Sequence, residues 1–329
     1  MQALVSLVTC SRDPDDSLLQ ATLASVRSLR IPDGWTVEHL LVDNGSVVPL
    51  ETRPSVREHL ASVPWAHLTR DDLDGLAGVR ARVIRATRGE LLVTVDDDNV
   101  LDPHYLEALV STARAMPSVG VFGAGRIDVA YRADPPAWAR DPWVLRLFQQ
   151  RALPTTVLGT SRFWQAHYPP GTGMAVRRSV ADEFARSVLQ GSVRNASRTR
   201  ARLSGGEDAQ LIWIAVRAGL SIGAFPAMRL SHVIPARRLT PVYVRRLTFG
   251  IHESAPPARR EVFRDEALPP LTPLRAFARV LRDLPPGAPP AVWWAQFASG
   301  LGDAAALCRM HERPEPWWLR ALIALLRVR

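Results

Sequence analysis

Short apolar runs alternate with segments of helical periodicity through the first part of the chain. Apolar residues recur at helical spacing between Leu18 and Leu29, and again between Leu106 and Ala113. The apolar runs that predict strands are 3–9, 37–42, 91–95 and 119–124. Because a parallel neighbour requires a crossover connection, this alternation predicts a mainly parallel sheet with helices on both faces, an α/β fold.

The later part of the chain follows a different pattern. Proline and tryptophan are frequent between residues 134 and 170, which predicts irregular segments over the sheet. A helix is predicted over 207–219 and a strand over 222–225. Arginine and proline dominate after that strand, and proline pairs predict breaks between short helices. We therefore predict a main domain over residues 1–235 and a C-terminal helical extension over residues 236–329.

The composition of the chain excludes several kinds of functional site. The chain has 329 residues, of which 47% are hydrophobic and 22% charged, as expected for a folded protein. Its net charge of +9 is carried by arginine, and the absence of lysine excludes Schiff-base chemistry and a phosphate-loop lysine. The two cysteines, Cys10 and Cys308, lack the spacing of a zinc site or a disulfide framework. Without a basic leader or the ~20 apolar residues of a membrane helix, we expect a cytoplasmic protein.

Three aspartates, Asp96, Asp97 and Asp98, directly follow the predicted strand 91–95. They therefore lie at the carboxyl end of a strand, where open α/β sheets bind ligands. If the backbone stays extended, Asp96 and Asp98 point to the same side and one Mg²⁺ or Mn²⁺ ion can contact both. The alternative is a solvated acidic turn that leads to a helix cap at Asp102.

A further carboxylate, Asp43, ends the predicted strand 37–42 and precedes Asn44-Gly45, a dipeptide typical of a tight turn. Taken alone, this segment predicts a loop. Parallel strands end at the same edge of a sheet, however, so we expect Asp43 to share an edge with the three aspartates.

These segments resemble the family 2 glycosyltransferases of the GT-A fold. The matching pieces occur in the expected order and are Val8 to Arg12, Val42 to Ser46, Gly75 to Arg80, Val95 to Asn99, Gly171 to Ala175, and Gly206 to Asp208. Together they cover about residues 3 to 235, so the resemblance makes the main domain a GT-A catalytic domain. It implies a nucleotide-sugar donor, most simply a UDP-sugar, and a divalent metal, Mn²⁺ or Mg²⁺.

The resemblance also implies roles for individual residues. Those that would bind the donor are Thr9, Ser11, Arg12 and Asp43 around the nucleotide base, Arg80 near the phosphates, Asp96 at the ribose, and Asp97. Asp98 would bind the metal, and His232 holds a place where some relatives have a histidine near the metal. Ala81 departs from the family, which often has asparagine there. A lone histidine is more often a packed or surface residue than a ligand, and that interpretation of His232 stays open.

Asp208 resembles the catalytic base of the family, which would remove the proton of an acceptor hydroxyl and give inversion at the sugar. It follows Glu207 at a predicted helix N-terminus, where the helix dipole favours the ionised carboxylate that a base needs. An N-terminal helix cap is the alternative use of Asp208. The acceptor would be a glycan, a lipid-linked saccharide or another hydroxyl compound, as in polysaccharide biosynthesis.

Two other functions compete with this one. A nucleotidyltransferase also combines a carboxylate cluster, a metal and a nucleotide, but it usually has a basic loop near the first strand, where this chain has only Arg12. A non-catalytic basic protein would explain the net charge of +9. The arginines are spread along the chain, apart from a modest cluster over 194–202 that suggests an acceptor loop, so we expect no nucleic-acid partner.

The last helix predicted by the sequence, over residues 316–329, has two interpretations. Its apolar face comprises Leu319, Leu322, Ile323 and Leu326, with Trp317 and Trp318 at its start and Arg320 and Arg327 opposite. Such a stripe favours packing of a terminal helix on the catalytic domain. Tryptophan and arginine also suit a membrane interface, so peripheral contact with the inner face of the membrane is the second interpretation.

Overall fold

The computed structural model describes residues 3–72, 75–193, 203, 205–268 and 270–329. The chain divides into two compact units that interleave along the sequence. The first unit comprises Met1–Ala130, Gln149–Gly191 and Leu211–Val233, and the second comprises Tyr131–Phe148, Ser192–Gln210 and Ile234–Arg329. The predicted cluster of arginines over 194–202 lies outside the described residues.

The strands and helices alternate from the start of the chain. The strands are β1 (Ala3–Ser11), β2 (Trp35–Asp43), β3 (Ala66–Arg70), β4 (Leu91–Thr94), β5 (Asn99–Leu101), β6 (Val119–Tyr131), β7 (Arg151–Ala152), β8 (Val157–Gly159), β9 (Ala175–Arg177) and β10 (Ser221–Ile234). The helices are α1 (Asp16–Arg27), α2 (Pro54–Ser62), α3 (Leu76–Ala86), α4 (Tyr105–Ala115), α5 (Pro142–Leu147), α6 (Arg178–Leu189), α7 (Glu207–Arg217), α8 (Pro241–Val262), α9 (Pro273–Arg282), α10 (Pro290–Met310) and α11 (Trp317–Leu326).

The strands form one sheet in the order β3-β2-β1-β4-β9-β6-β10-β5. Strands β1 to β4 pair in parallel, as the alternation with helices predicts. The sheet continues differently beyond β4, because β9 pairs antiparallel with both β4 and β6, and β5 pairs antiparallel with β10. The α/β fold class is therefore confirmed, with parallel pairing concentrated in the first half of the sheet.

Strand β10 is longer than predicted. The sequence predicts a strand over 222–225, whereas β10 continues to Ile234 and contains His232, which was expected to lie beyond it. From Ala227 onward, exposed or half-buried residues largely alternate with buried ones, as in an antiparallel strand with one covered face. Because polar residues interrupt the apolar ones here, this part of β10 does not form an apolar run that would predict a strand.

Apolar side chains from β1, β4 and β6 pack against α1 and α4 to form the main core. Several members of this cluster are fully buried: Val5, Leu7, Val93, Tyr105, Leu106, Leu109 and Phe122. Burying a valine or leucine side chain contributes about 1.5–3 kcal/mol, so these contacts hold the parallel strands under α4. The sheet edge that follows β1, β2 and β4 is positioned by this core.

Helices α8 and α10 form the centre of the second unit. Gly302 allows them to touch, because a Cβ atom there would lie 2.6 Å from the carbonyl oxygen of Phe249. The proline pair Pro256 and Pro257 was predicted to break the chain into short helices, yet both prolines lie inside α8. The packing of α8 against α10 offsets the lost hydrogen bonds, each proline costing ~3 kcal/mol in a helix interior.

Helix α11 packs through the apolar face that the sequence predicts. Leu319 and Ile323 are buried in a cluster with Phe249, Leu301 and Cys308, and Leu322 and Leu326 pack against it. The helix thus packs on α8 and α10 of the second unit, because its apolar face meets theirs, whereas the sequence predicts packing on the catalytic domain over residues 1–235. No helix among the described residues combines the length and the apolar character that crossing a bilayer requires.

Two buried histidines link β2 to α2. A ring nitrogen of His39 lies 2.9 Å from one of His59, and the other is 3.0 Å from the Thr9 hydroxyl. Burial, followed by the charge of His59, lowers the pKa of His39 to about 3. Burial, followed by the charge of Arg27, lowers the pKa of His59 to about 4. Both imidazoles are therefore neutral at pH 7.

These histidines predict an acid-sensitive fold. A histidine with a depressed pKa stabilises the native state above its unfolded value of 6.5 and loses that contribution as the pH falls towards the folded value. The free energy of unfolding should decrease by about 1.4 kcal/mol per pH unit for each histidine in that interval. We expect denaturant melts between pH 7.5 and pH 5 to show this slope. The slope should flatten in His39→Gln/His59→Gln and persist in the exposed control His67→Gln, and an equal slope in all three proteins would contradict the assignment.

Candidate active site

The ends of three parallel strands meet at one edge of the sheet. Ser11 and Asp43 are register partners at the ends of β1 and β2, and β4 pairs with the other side of β1. The Ser11 hydroxyl donates a hydrogen bond to the carboxylate of Asp97, in the turn that follows β4. The structure therefore brings together the polar segments that the sequence predicts at this edge.

The chain turns between β4 and β5. The Asn99 N–H donates to the Asp96 carbonyl at 3.0 Å, and the Asn99 side-chain oxygen accepts from the Asp96 N–H at 3.2 Å. The backbone is therefore not extended here, and the condition under which Asp96 and Asp98 would share one side is not met, because period-two alternation does not apply inside a closed turn. The two carboxylates have different neighbours.

Asp98 lies beside His232. Antiparallel pairing of β5 with β10 places His232 opposite Asn99, and the Val233 N–H donates to the Asp98 carbonyl at 2.9 Å. The imidazole Nε2 of His232 is then 3.7 Å from Asp98 Oδ1, which also accepts a hydrogen bond from the Asn99 amide at 2.9 Å. Both side chains are at least nine-tenths buried. Two residues far apart in sequence thus form a carboxylate–imidazole pair.

This pair has the donor atoms of a divalent metal site. Carboxylate oxygen and imidazole nitrogen both suit Mn²⁺, and carboxylate also suits Mg²⁺. Within the described part of the chain, no group of three or more histidine, cysteine, aspartate or glutamate residues could hold a metal ion. Mg²⁺ is usually held by one or two carboxylates together with waters and substrate phosphates. Asp98 and His232 therefore fit a metal that is shared with a phosphate-bearing ligand.

Asp96 lies next to a buried arginine. Arg80, on α3, is almost fully buried, and its Nη2 is 3.6 Å from Asp96 Oδ1. Helix α3 begins directly after Gly75, whose φ of 107° is a backbone conformation that favours glycine. Arg80 thus lies beside the acidic turn that follows β4.

Cys10 was not predicted as part of this site. Burial raises the pKa of its thiol to about 12, against the lowering effect of Arg80, and Asp96 and Asp71 raise it further. The thiol is therefore protonated at neutral pH, which excludes a thiolate nucleophile here.

Asp43 organises the loop that follows β2. Its Oδ1 accepts from the Ser46 N–H at 2.8 Å, and its Oδ2 accepts from the Leu50 N–H at 3.0 Å and from Arg70 at 3.3 Å. Burial alone would raise the pKa of Asp43, but hydrogen bonds from Leu50 and Ser46 and the charge of Arg70 outweigh it, and the pKa is lowered. The carboxylate is ionised and shapes the loop over residues 44–50.

Arg70 is a site residue that the sequence analysis missed. It ends β3 in register with Asp43, and its Nη2 donates to the Ser46 carbonyl at 3.3 Å. The sequence does contain a signal for Arg70. An arginine that ends one parallel strand lies beside a carboxylate that ends the neighbouring strand. Ala66 to Arg70 is too polar to be recognised as a strand from an apolar run.

Two predicted donor contacts at the end of β1 have different surroundings. Thr9 is fully buried, and its hydroxyl bonds the His39 ring in the interior. Arg12 follows β1 and is half-buried. The structure keeps Thr9 in the interior, while Ser11 reaches the acidic turn.

The family of the chain follows from a sequence profile. The profile described as glycosyl transferase family 2 matches residues 6–184, which is more than half of the chain and includes β1 to β4 and the acidic turn. The chain belongs to glycosyl transferase family 2. A comparison with curated proteins finds no match.

Solved structures place this glycosyltransferase in the GT-A fold. It is similar to the mannosyltransferase PcManGT from Pyrobaculum calidifontis, solved with GDP-Man and Mn²⁺, with a TM-score of 0.51 and 17% identity over 98% of this chain and 78% of that chain. It is also similar to GalNAc-T7, solved with UDP, GalNAc and Mn²⁺, with a TM-score of 0.52 and 15% identity over 98% of this chain. The chain spans 57% of the length of GalNAc-T7. At these identities the likeness concerns the fold.

The remaining predicted residues, Glu207 and Asp208, open α7 and belong to the second unit. Glu207 is buried, and its carboxylate accepts a hydrogen bond from the Gly206 N–H at 3.1 Å. Asp208 is half-buried in the same helical turn. Their place at a helix N-terminus is as predicted, and the role of Asp208 as the base of this glycosyltransferase stays a prediction.

Two carboxylates, Asp43 and Asp72, pair with Arg70. We expect the loss of Asp43 to destabilise the protein more than the loss of Asp72, by an amount that depends on pH. Asp43→Asn should lower the free energy of unfolding at pH 7 by about 1–3 kcal/mol, because buried charge-assisted hydrogen bonds are lost. Asp72→Asn is the matched control, since exposed Asp72 also pairs with Arg70, at 2.8 Å, and should cost no more than about 0.5 kcal/mol. The native carboxylate has a lowered pKa, so its contribution is lost as the pH falls below 3.8 and the variants should converge there. Equal losses at pH 7, measured by denaturant melts, would refute this role.

Proposed function

We propose that this family 2 enzyme transfers a sugar from a nucleoside-diphosphate donor, preferentially a UDP-sugar, to a hydroxyl group with inversion of configuration. The observation that carries the proposal is the buried pair of Asp98 and His232 beside the turn that follows β4. This pair lies at the sheet edge that also holds Ser11, Asp43 and Arg80. The acceptor would be a glycan, a lipid-linked saccharide or another hydroxyl compound. The two free cysteines support a cytoplasmic location.

The donor would bind along this edge. Ser11, Arg12 and the loop organised by Asp43 would contact the nucleotide base. The resemblance assigns Asp96 to the ribose and Asp97 to donor binding. Arg80 carries a guanidinium suited to phosphate oxygens, and it lies at this edge, 3.6 Å from Asp96. Thr9 would support this pocket through His39, because its hydroxyl is committed to the interior.

Asp98 and His232 would hold a divalent cation, Mn²⁺ or Mg²⁺. Two proteins of similar fold have been solved with Mn²⁺. When bound, the cation would neutralise negative charge on the diphosphate as it leaves. Asn99 would orient the Asp98 carboxylate through its hydrogen bond of 2.9 Å.

Asp208 would act as the base. Its carboxylate would take the proton of the acceptor hydroxyl while the acceptor oxygen attacks the anomeric carbon from the face opposite the diphosphate. The bond between that carbon and the diphosphate oxygen breaks, and the products are the inverted glycoside and a nucleoside diphosphate. Asp208 lies in the first turn of α7, and the carboxylate of Glu207 beside it accepts a hydrogen bond from the Gly206 N–H.

The metal assignment predicts metal-dependent ligand stabilisation. UDP should raise the melting temperature with Mn²⁺ present, since a ligand at 100 times its Kd adds about 2.7 kcal/mol to native stability. Without metal the shift should be much smaller, and GDP tested in parallel reports base preference. Asp98→Asn should lose the Mn²⁺-dependent shift, whereas the nearby control Asp102→Asn should keep it. A full shift by UDP in a chelator would overturn the assignment.

The base assignment predicts that Asp208→Asn binds donor but turns it over at least about a hundredfold more slowly. Because the acceptor is unidentified, the assay measures slow hydrolysis of UDP-glucose, UDP-N-acetylglucosamine and GDP-mannose by the release of nucleoside diphosphate. Exposed Asp283→Asn, in the same unit, is the control and should retain the native rate. Retained turnover in Asp208→Asn excludes it as the base, and release of pyrophosphate instead would indicate a nucleotidyltransferase.

A further inference from the structure

Helix α11 is apolar on two faces. Leu319 and Ile323 face the core of the second unit and are buried. The outward positions carry Trp317 and Leu325, which are 76% and 75% exposed. A surface helix of a water-soluble protein normally has one apolar stripe and an opposite polar face. Trp317 and Leu325 are therefore large apolar side chains that packing of the fold does not require to be apolar.

Exposed alanines extend this outer face. Ala321 and Ala324 are exposed on α11 between Trp317 and Leu325, and no acidic residue occurs from Trp317 to Arg329. Tryptophan is the side chain most typical of the boundary between headgroups and acyl chains. We name this surface, formed by Trp317, Ala321, Ala324 and Leu325, the outer face of α11.

A basic cleft lies along the same helix. Its volume is about 420 Å³, and its lining consists of Glu315, Arg320, Ile323, Ala324, Arg327 and Arg329. Arg329 is held in place by Glu253 and Glu315, with Nε 3.1 Å from Glu253 Oε1 and Nη1 3.0 Å from Glu315 Oε2. The side chains of Arg320 and Arg327 make no hydrogen bond or ion pair to any residue that the structure describes. Two guanidinium groups are thus available beside the outer face.

The neighbouring helix α9 has the same character. The Phe277 ring of α9 stacks on Trp318 of α11 with ring centroids 5.5 Å apart. On α9, Leu274 is exposed next to the exposed arginines Arg275 and Arg279. Residues 236–329 contain fifteen arginines and eight acidic residues, so this segment carries +7 of the net charge of +9. The part of the chain that contains the outer face of α11 therefore also carries most of the net positive charge.

We propose that the outer face of α11 docks on an anionic membrane surface. Trp317 and Leu325 enter the interfacial layer, and Arg320 and Arg327 contact lipid phosphates, a combination typical of helices that lie in the plane of the interface. The alternative occupant is a second copy of this chain. A symmetric contact would bring Arg320 and Arg327 of both copies to one interface with no acidic residue of α11 to offset them, and the resulting repulsion favours an anionic lipid surface instead.

Vesicle co-sedimentation of the full-length protein tests this docking independently of sugar transfer. The probes are phosphatidylcholine vesicles with and without phosphatidylglycerol, at low and at high salt. We expect binding to the anionic vesicles that weakens with salt and is lost on pure phosphatidylcholine. Arg320→Gln/Arg327→Gln should bind these vesicles at least about tenfold more weakly, because each arginine near an anionic surface raises the affinity about fivefold. Trp317→Ser/Leu325→Ser should also lose at least about tenfold.

Matched variants separate docking from general effects of charge and hydrophobicity. Arg85→Gln/Arg88→Gln removes two exposed arginines of the first unit, and Leu189→Ser removes an exposed leucine there, and both should bind as the native protein does. Thermal melts should be unchanged in all variants, because the altered side chains are exposed. Absence of binding to the anionic vesicles, or equal loss in the controls, overturns the proposal. Self-association that Trp317→Ser/Leu325→Ser abolishes, without vesicle binding, would assign the face to a second copy.

Discussion

Parallel pairing of β1 with β2 on one side and β4 on the other is the constraint on which the site depends, because it brings three strand ends to one edge. Carboxylates gathered in this way repel one another unless each has a compensating neighbour. Arg70 lies beside Asp43, and Arg80 lies beside Asp96. Asp98 faces the imidazole of His232, with the two side chains 3.7 Å apart. The electrostatic asymmetry of the edge thus follows from which strand end meets which basic side chain.

The carboxylates at this edge differ in what they contact. Asp43 uses both oxygens to fix the loop over 44–50, and its burial makes that ionised group a structural element. Asp98 is equally buried, but its oxygen lies near the His232 ring at a separation longer than a hydrogen bond. A pair held apart at 3.7 Å by the backbone of β5 and β10 has the spacing and chemistry to admit an ion between or beside its two atoms.

The C-terminal helices show how packing overrides local preference. Helix α8 continues through Pro256 and Pro257 because its contact with α10, made close by Gly302, outweighs the lost hydrogen bonds. The same packing buries one face of α11 and leaves Trp317 and Leu325 exposed on the other. Residues 236–329 also carry +7 of the net charge of +9. The sheet and these helices therefore have distinct surface chemistry.

The sequence by itself determined the α/β class, the parallel first half of the sheet and the order of the polar segments that follow β1, β2 and β4. These features are local, because they depend on periodicity and on the residues adjacent to each strand. Tertiary structure decided what local pattern could not: the antiparallel second half of the sheet, the length of β10, the closed turn at Asp96 and the partner of each carboxylate. The Asp98 and His232 pair depends on register between β5 and β10, which lie more than a hundred residues apart along the chain. Such contacts are selected by packing across the whole sheet, and no window of the sequence contains both partners.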